Sequence, residues 1–274
     1  MHTKRPDFIH PNESTRFLKT IFSTQKGIVH ETNPKIVVCD FFLFSIIYCT
    51  SDSAPDLEYI KKNKQKPTLI IWDRTEKKEN TIPNGWYSFA LVGTRPDLGI
   101  LYVQEEYKKK WSESVKRALR RWQSQERYII TEISLDTYLA AYTNSTVIAY
   151  IKQTYSKLLP VYSQNYLSDF VCYGVIDTTT GQCIAGLSTV YEKETDQSKH
   201  VSAFLLNEAY KTDAGTALMN HWVQETNSQK LSYANFGIVW KKGDPNSWKG
   251  YSAFKLHFGL TRVIHQTPLT KILW

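Results

Sequence analysis

The sequence predicts a mixed α/β fold of the α+β kind, a mixed sheet flanked by helices, and three observations predict it. The last third reads strand, turn, strand, turn, strand, helix, strand, helix, strand, so an antiparallel meander feeds a parallel crossover. The middle carries apolar residues at three- and four-residue steps, the period of a helix. The first hundred residues hold short β-branched and aromatic runs separated by polar segments. The chain has 274 residues, 42% hydrophobic and 22% charged, which suits one large or two small globular domains rather than a disordered chain.

The elements follow in order. Residues 36–39 and 41–48 read as buried strands after the turn signal Asn33-Pro34. A polar segment, residues 51–66, leads to a strand at 68–72. Residues 77–85 read as a loop, with Pro83 and Asn84-Gly85 as punctuation, and 86–92 and 100–103 as strands. Tyr107, Trp111, Val115, Ala118, Leu119 and Trp122 form one stripe of an amphipathic helix. Residues 129–133 read as a strand. A helix spans 136–159, interrupted near 143–146 and ended by Pro160. Strands at 170–176 and 183–191 flank a hairpin turn at 177–181. A polar turn at 195–199 precedes a strand at 200–206. A helix capped by Thr212 or Asp213 runs to about residue 228. A strand at 231–239, a loop at 242–249 and a short helix at 250–258 follow. Gly259 is placed to stop that helix, and 261–274 ends as one or two strands.

Several functions are disfavoured. Cys39, Cys49, Cys172 and Cys183 form no Cys-x-x-Cys pair, lie at no metal-ligand spacing from a histidine, and sit in apolar runs. They read as buried thiols of a reduced, cytoplasmic chain without a metal site. Nucleophile-elbow, zincin and Walker-type motifs are absent. The N-terminus lacks the apolar core of a signal peptide, and the most apolar stretch, 36–49, is too short and broken to span a membrane. The net charge of +8 favours an anionic partner.

Four constellations could carry chemistry. In residues 244–259 a Gly/Pro/Asn/Ser loop opens onto a helix N-terminus, whose free N–H groups can hold an anion or polarise a carbonyl. Gly250 there allows close backbone approach. Tyr251, Phe254 and Phe258 share a helix face, with Lys255 beside it; a packed terminal helix with a solvated lysine is the plainer reading. At the second site Lys211, Thr212 and Gly215 begin a helix that could cradle phosphate, although Asp213 would repel one and ordinary capping explains the pattern. The third is the basic face of the 107–122 helix, with Lys116, Arg117, Arg120 and Arg121, able to hold phosphates or simply be solvated. The fourth is the carboxylate set Glu192, Glu194 and Asp244, with Tyr173 and Tyr251, suited to proton transfer.

The string Gly-x-Ser-x-Phe-Lys-x-x-Phe-Gly at residues 250–259 resembles the C-terminal motif of FemAB-type peptidoglycan bridge aminoacyltransferases, a branch of the GNAT acyltransferase superfamily. Residues 111–128, with their paired basic residues, resemble that family's basic helix, and 170–191 is similar to its acceptor-domain hairpin. The resemblance covers residues 93–274. It implies a GNAT-like fold, usually in tandem, with a divergent N-terminal copy at 1–105 and the acyltransferase domain at 106–274. The chain is shorter than a typical member and lacks the coiled-coil arm.

The resemblance also implies an N-acyltransferase or aminoacyltransferase acting on an amine acceptor, such as a cell-wall or polysaccharide precursor. Aminoacyl-tRNA or acyl-CoA would be the co-substrate, with no cofactor held permanently. Lys255 matches the family's functional lysine, which steadies charge on the reacting carbonyl. Tyr251, Asp244 and Glu192 complete the expected catalytic set, and Tyr173, Trp248 and Phe254 the acceptor groove. Expected partners are a small-molecule or lipid-linked amine and tRNA, not DNA, with peripheral membrane contact at most, for a monomeric chain. The alternative is a non-catalytic GNAT-like module that binds RNA or an anionic glycan through its basic helix.

Overall fold

A computed structural model describes residues 9, 11, 14–23, 27–30, 35–51, 53–63, 66–74, 82–88, 97–103, 106–242, 244–264 and 267–274. The chain divides into two units: one gathers Leu98–Val263 with the N-terminal residues to Ile9, the other His10–Asp97 and Ile264–Trp274.

The second of these units holds helix α1 (Thr15–Ser23), strands β1 (Ile28–His30), β2 (Lys35–Asp40) and β3 (Ser45–Ser51), helix α2 (Leu57–Asn63), and strands β4 (Thr68–Arg74) and β5 (Tyr87–Ser88). Strand β13 (Leu269–Leu273) joins them, and the sheet order is β1-β2-β3-β4-β13-β5. β1, β2 and β3 are antiparallel, and α2 carries the chain over to β4, parallel to β3. Ile47, Ile70, Trp72 and Leu269 pack a core on one side, with Leu18, Val37, Tyr48 and Ile71 in another cluster.

The larger unit begins with β6 (Leu98–Tyr102), a 3-10 turn (Tyr107–Lys110) and α3 (Glu113–Gln123). Then come β7 (Tyr128–Ile133), α4 (Leu135–Thr143), α5 (Ala149–Tyr166), β8 (Phe170–Asp177), β9 (Cys183–Glu192) and β10 (Gln197–Leu205). Helix α6 (Ala214–Ser228), β11 (Tyr233–Ile238), α7 (Lys249–Leu256) and β12 (Thr261–Val263) complete it. Its sheet order is β12-β6-β11-β10-β9-β8-β7. The α3 and α6 side chains Val115, Leu218 and Trp222 pack with Tyr173, Leu187 and Phe236. Tyr138, Leu159 and Tyr166 of α4 and α5 pack with Cys172, Val190 and Phe204. Neighbouring strand residues thus face different helix layers, as period-two alternation requires.

Both sheets repeat one scheme. An antiparallel meander, β1-β2-β3 or β8-β9-β10, crosses through a helix to a parallel strand, β4 or β11. That strand then takes an antiparallel neighbour distant from it in sequence: β13, from the last residues, against β4, and β6, from before the meander, against β11. This exchange is why the division departs from the expected 1–105 and 106–274.

Other differences have local causes. The apolar stripe from Tyr107 to Trp122 is packed as expected, but the helix breaks at Ser112, whose Oγ accepts from Val115 N–H at 3.4 Å and caps α3. Pro160 lies inside α5 rather than ending it. An interior proline costs about 3 kcal/mol, and large side chains contribute roughly 1.5–3 kcal/mol each when buried. Leu159, Tyr162 and Tyr166 are buried around it, so packing outweighs the lost hydrogen bond. Residues 41–44 form an exposed turn instead of the start of a strand, because an apolar run has no period that separates the two. β10 starts at Gln197, three residues early, after Asp196 turns the chain with φ 50°. The turn signal Asn33-Pro34, part of the loop at 77–85 and residues 89–92 of the expected strand at 86–92 lie outside the described residues. No described helix is long and apolar enough to cross a membrane.

Candidate functional site

β10 and β11 are paired only at Gln197↔Tyr233, Ser198↔Ala234 and Lys199↔Asn235. Beyond those positions β10 follows β9 as far as Leu205↔Ala185, and β11 follows β6 as far as Ile238↔Leu98. The two parallel strands therefore part and leave facing edges without a ladder. Each has an irregularity at the fork, between His200 and Ser202 in β10 and between Asn235 and Ile238 in β11. Gly237 makes the second one with φ +74°, a conformation glycine adopts without steric cost. The buried Asn235 holds it, with Oδ1 accepting from Gly237 N–H at 2.8 Å and Nδ2 donating to Gln197 Oε1 at 3.0 Å. By contrast β3 and β4 stay paired at all seven positions from Ser45↔Thr68 to Ser51↔Arg74. The smaller unit has the same crossover with no fork.

Three ionisable side chains meet at the fork. Lys255, in the last turn of α7, is 3% exposed and donates from Nζ to Ile238 O at 3.1 Å. The ammonium also lies 4.2 Å from the Tyr251 ring centroid. Tyr251 reaches across so that its hydroxyl is 2.9 Å from His200 Nε2 on β10. The side chain is 42% exposed, but its hydroxyl end is the enclosed part. Trp222 of α6 packs between His200, at 6.2 Å, and Phe236, at 4.9 Å. Its indole N–H is buried and has no hydrogen-bond partner among the described residues.

Burial sets the protonation states here. Loss of solvent lowers the Lys255 pKa to about 7. His200 is held well below the ordinary imidazole range by burial first and by the Lys255 charge second, so it is neutral at pH 7. Enclosure raises Tyr251, with neighbouring Tyr155 adding to the effect, so it stays a phenol. The fork thus holds an amine whose pKa is lowered to about 7, a neutral imidazole and a phenol hydroxyl within hydrogen-bond distance of it.

The other expected site residues are placed elsewhere or are occupied. Glu192 is 1% exposed; its carboxylate pairs with Lys199 and accepts from Tyr166 Oη at 3.0 Å and Thr195 Oγ1 at 2.6 Å. Three donors therefore hold this carboxylate inside the structure, away from the fork's Lys255, Tyr251 and His200 contacts. Asp244 closes its own loop, accepting from Lys241 N–H at 2.9 Å. Tyr173 is buried against His221 and bonded to the Tyr191 hydroxyl at 2.9 Å, and Phe254 packs edge-on to the fully buried Phe258. Tyr173 belongs to the core on the α3–α6 side, and the partly buried Phe254 packs against it. Trp248 is half-buried in the 3-10 turn before α7. A Cβ added to Gly250 would meet nothing within 4 Å, so no neighbouring part of the described chain requires a glycine there. In α7, Tyr251 of the first turn and Lys255 of the last turn both reach the fork.

Around the start of α6, the Asp213 carboxylate does not cap the helix. It takes two hydrogen bonds of 2.8 Å from Arg121 Nε and Nη2. Thr212 Oγ1 donates to Ala209 O, Gly215 faces Leu205, and Lys211 is exposed. Lys116 is paired with Glu113 at 2.9 Å, which leaves Arg117 and Arg120 as the exposed cations of the α3 face. All four cysteines are buried and unpaired. Among the described residues no three His, Cys, Asp or Glu side chains are grouped to hold a metal ion.

Lys255 and Tyr251, both expected from the sequence in the catalytic set, lie together in the structure, and His200, which the sequence does not single out, lies beside them. In the sequence His200 is the first residue of an expected strand, and nothing in its neighbours' spacing distinguishes it. The three-residue pairing of β10 with β11 brings it to the fork, and pairing length is not written in local pattern.

No protein-family model matches the chain, and no curated protein matches it by sequence. Solved structures do. FemX superposes with a TM-score of 0.68 over 94% of this chain and 91% of its own, at 9% identity. The chain has a FemAB-like, GNAT-type fold. The C-terminal domain of a putative lysylphosphatidylglycerol synthetase from Agrobacterium fabrum matches with a TM-score of 0.56 over 94% of this chain and 87% of that one, at 11% identity. L-PGS from Bacillus licheniformis matches with 0.55 over 98% and 94%, at 10% identity. The FemAB-like resemblance read from residues 250–259 is therefore borne out as fold, with two mixed α/β sheets flanked by helices.

Proposed function

We propose that the chain is an N-acyltransferase that passes an aminoacyl or acyl group from an activated donor to an amine, at the β10–β11 fork. The observation that supports this reading is the strand separation itself, with Lys255 on one edge and His200 on the other, bridged by Tyr251. The parted edges carry backbone groups that can hold an extended donor and its carbonyl. The protonated Lys255 steadies charge on the carbonyl oxygen as the amine attacks. The amine proton passes to the Tyr251 oxygen as Tyr251 gives its own to His200 Nε2. The C–N bond forms, the bond from the carbonyl to the donor's carrier breaks, and the carrier leaves with the acceptor's proton returned through the same relay.

The donor is an aminoacyl-tRNA or an acyl-CoA, and the acceptor a small or lipid-linked amine of the cell-wall or polysaccharide-precursor type. Arg117 and Arg120, exposed on α3, suit a phosphate-bearing donor. The same two residues support the alternative of a binding module without turnover, but that reading gives no role to the buried lysine.

The test is product formation with panels of acyl-CoAs and of charged tRNAs with lipid-linked muropeptide or simple amines. Turnover in the native chain that falls by at least about 10²-fold in Lys255→Ala supports the reading. RNA binding without product from any donor, unchanged by that substitution, supports the module.

A further inference from the structure

One end of the β1-β2-β3-β4-β13-β5 sheet presents bare apolar side chains. In the turn joining β2 to β3, Phe42 is 92% and Leu43 73% exposed. Phe41 and Phe44 stack at 4.7 Å beneath them. The turn is closed by Phe41 N–H donating to Phe44 O at 2.8 Å and fastened by Lys66 Nζ donating to Phe41 O at 3.0 Å. Strand directions bring a further aromatic to this end. β3 and β4 are parallel, so Lys66 and Pro67 precede β4 beside the turn. β13 is antiparallel to β4 with Leu273 opposite Thr68, so Trp274, 93% exposed, leaves the sheet there too. β3 and β13 are two strand spacings apart, ~10 Å.

The same end carries lysines beside one acid of the turn, Asp40, whose carboxylate accepts from Ser45 Oγ. The sequence from Lys61 to Lys66 contains four lysines and no acid, and Lys61 and Lys62 occupy the last turn of α2. Lys61 lies 3.5 Å from Glu58, so part of its charge is met locally.

We propose that this end of the sheet docks on an anionic lipid bilayer, with Phe42, Leu43 and Trp274 entering the headgroup–acyl boundary and Lys62 and Lys66 meeting lipid phosphates. A few side chains on a convex turn cover far less than the roughly 1,000 Å² that a stable protein interface needs. A second copy of the chain would also set lysine against lysine. A soft interface accepts a narrow apolar tip, and its negative surface complements the lysines. The proposal rests on this surface and not on the transfer chemistry.

Co-sedimentation of the full chain with vesicles of phosphatidylcholine mixed with phosphatidylglycerol, and of phosphatidylcholine alone, tests it. The expected result is binding to the mixed vesicles that weakens with added salt and is at least about tenfold weaker on phosphatidylcholine. Phe42→Ser with Leu43→Ser, and separately Trp274→Ser, should weaken it several-fold with unchanged thermal melting, because these side chains are exposed. Lys62→Gln with Lys66→Gln should flatten the salt dependence. Lys255→Ala should bind like the native chain, so failure here and failure of the transfer reading are distinct. Absence of binding to mixed vesicles, or binding indifferent to the tip substitutions, overturns the proposal. So does a native dimer in solution that Phe42→Ser with Leu43→Ser makes monomeric.

Discussion

Burying an ammonium costs free energy, and Lys255 is the residue where that cost can be measured. Its pKa falls from the ordinary 10.5 to about 7 on folding. Between those values the unfolded chain binds a proton that the folded chain does not, so this group makes stability rise with pH across that window. Below about pH 7 the penalty is complete and constant. A shift of this size corresponds to at most roughly 4 kcal/mol near neutrality. Lys255→Met should therefore melt higher than the native chain at pH 6, by several degrees, with the difference shrinking toward pH 10. Thermal unfolding across that range checks it, and equal melting at every pH would mean that the ammonium is not desolvated. The same substitution should abolish transfer. If the protonated form acts on the carbonyl, turnover loses that contribution as pH rises through about 7, and Lys255→Arg should move this alkaline limb upward. Tyr251→Phe should lower turnover by about 10²-fold or more and leave donor affinity unchanged, because it removes the relay and not the edges.

The elements show which parts of the fold local pattern can announce. The short helix ending at Gly259 was legible, because a left-handed stop leaves a glycine in the sequence. Gly259 has φ +69°, and an added Cβ would come 2.5 Å from Lys110 O. Gly259→Ala should lower stability by roughly 1–3 kcal/mol, measured by denaturant midpoint; a neutral substitution would mean that the turn can relax. The meander and crossover of the larger unit were legible for a similar reason, since turn residues and period changes mark them. The fork was not. Whether Lys199↔Asn235 is the last pair depends on two irregularities on separate strands, and only Gly237 hints at one. The apolar tip at 41–44 misled for the opposite reason: hydrophobicity predicts burial, and here four consecutive apolar residues form an exposed turn. The partners of Glu192 were not legible either, because a carboxylate at a strand end carries no local sign of the buried Lys199, Tyr166 and Thr195 that hold it.

For the whole molecule, the exchange of strands matters most. β13 belongs to the sheet of residues 10–97, although it follows the larger unit in sequence. Removing residues 264–274 should expose the β4 edge and strip hydrogen-exchange protection from residues 68–74, while β8, β9 and β10 keep theirs. Uniform loss of protection would mean that the two sheets unfold as one. The transfer reading uses the one fork seen among the described residues, since β3 and β4 are fully paired at the equivalent position. Mapping backbone amide shifts while titrating the donor that supports turnover examines this placement. The account predicts changes centred on residues 199–203 and 235–239 and on Lys255. Changes confined to the Arg117–Arg120 face, or to the sheet of β3 and β4, would contradict it.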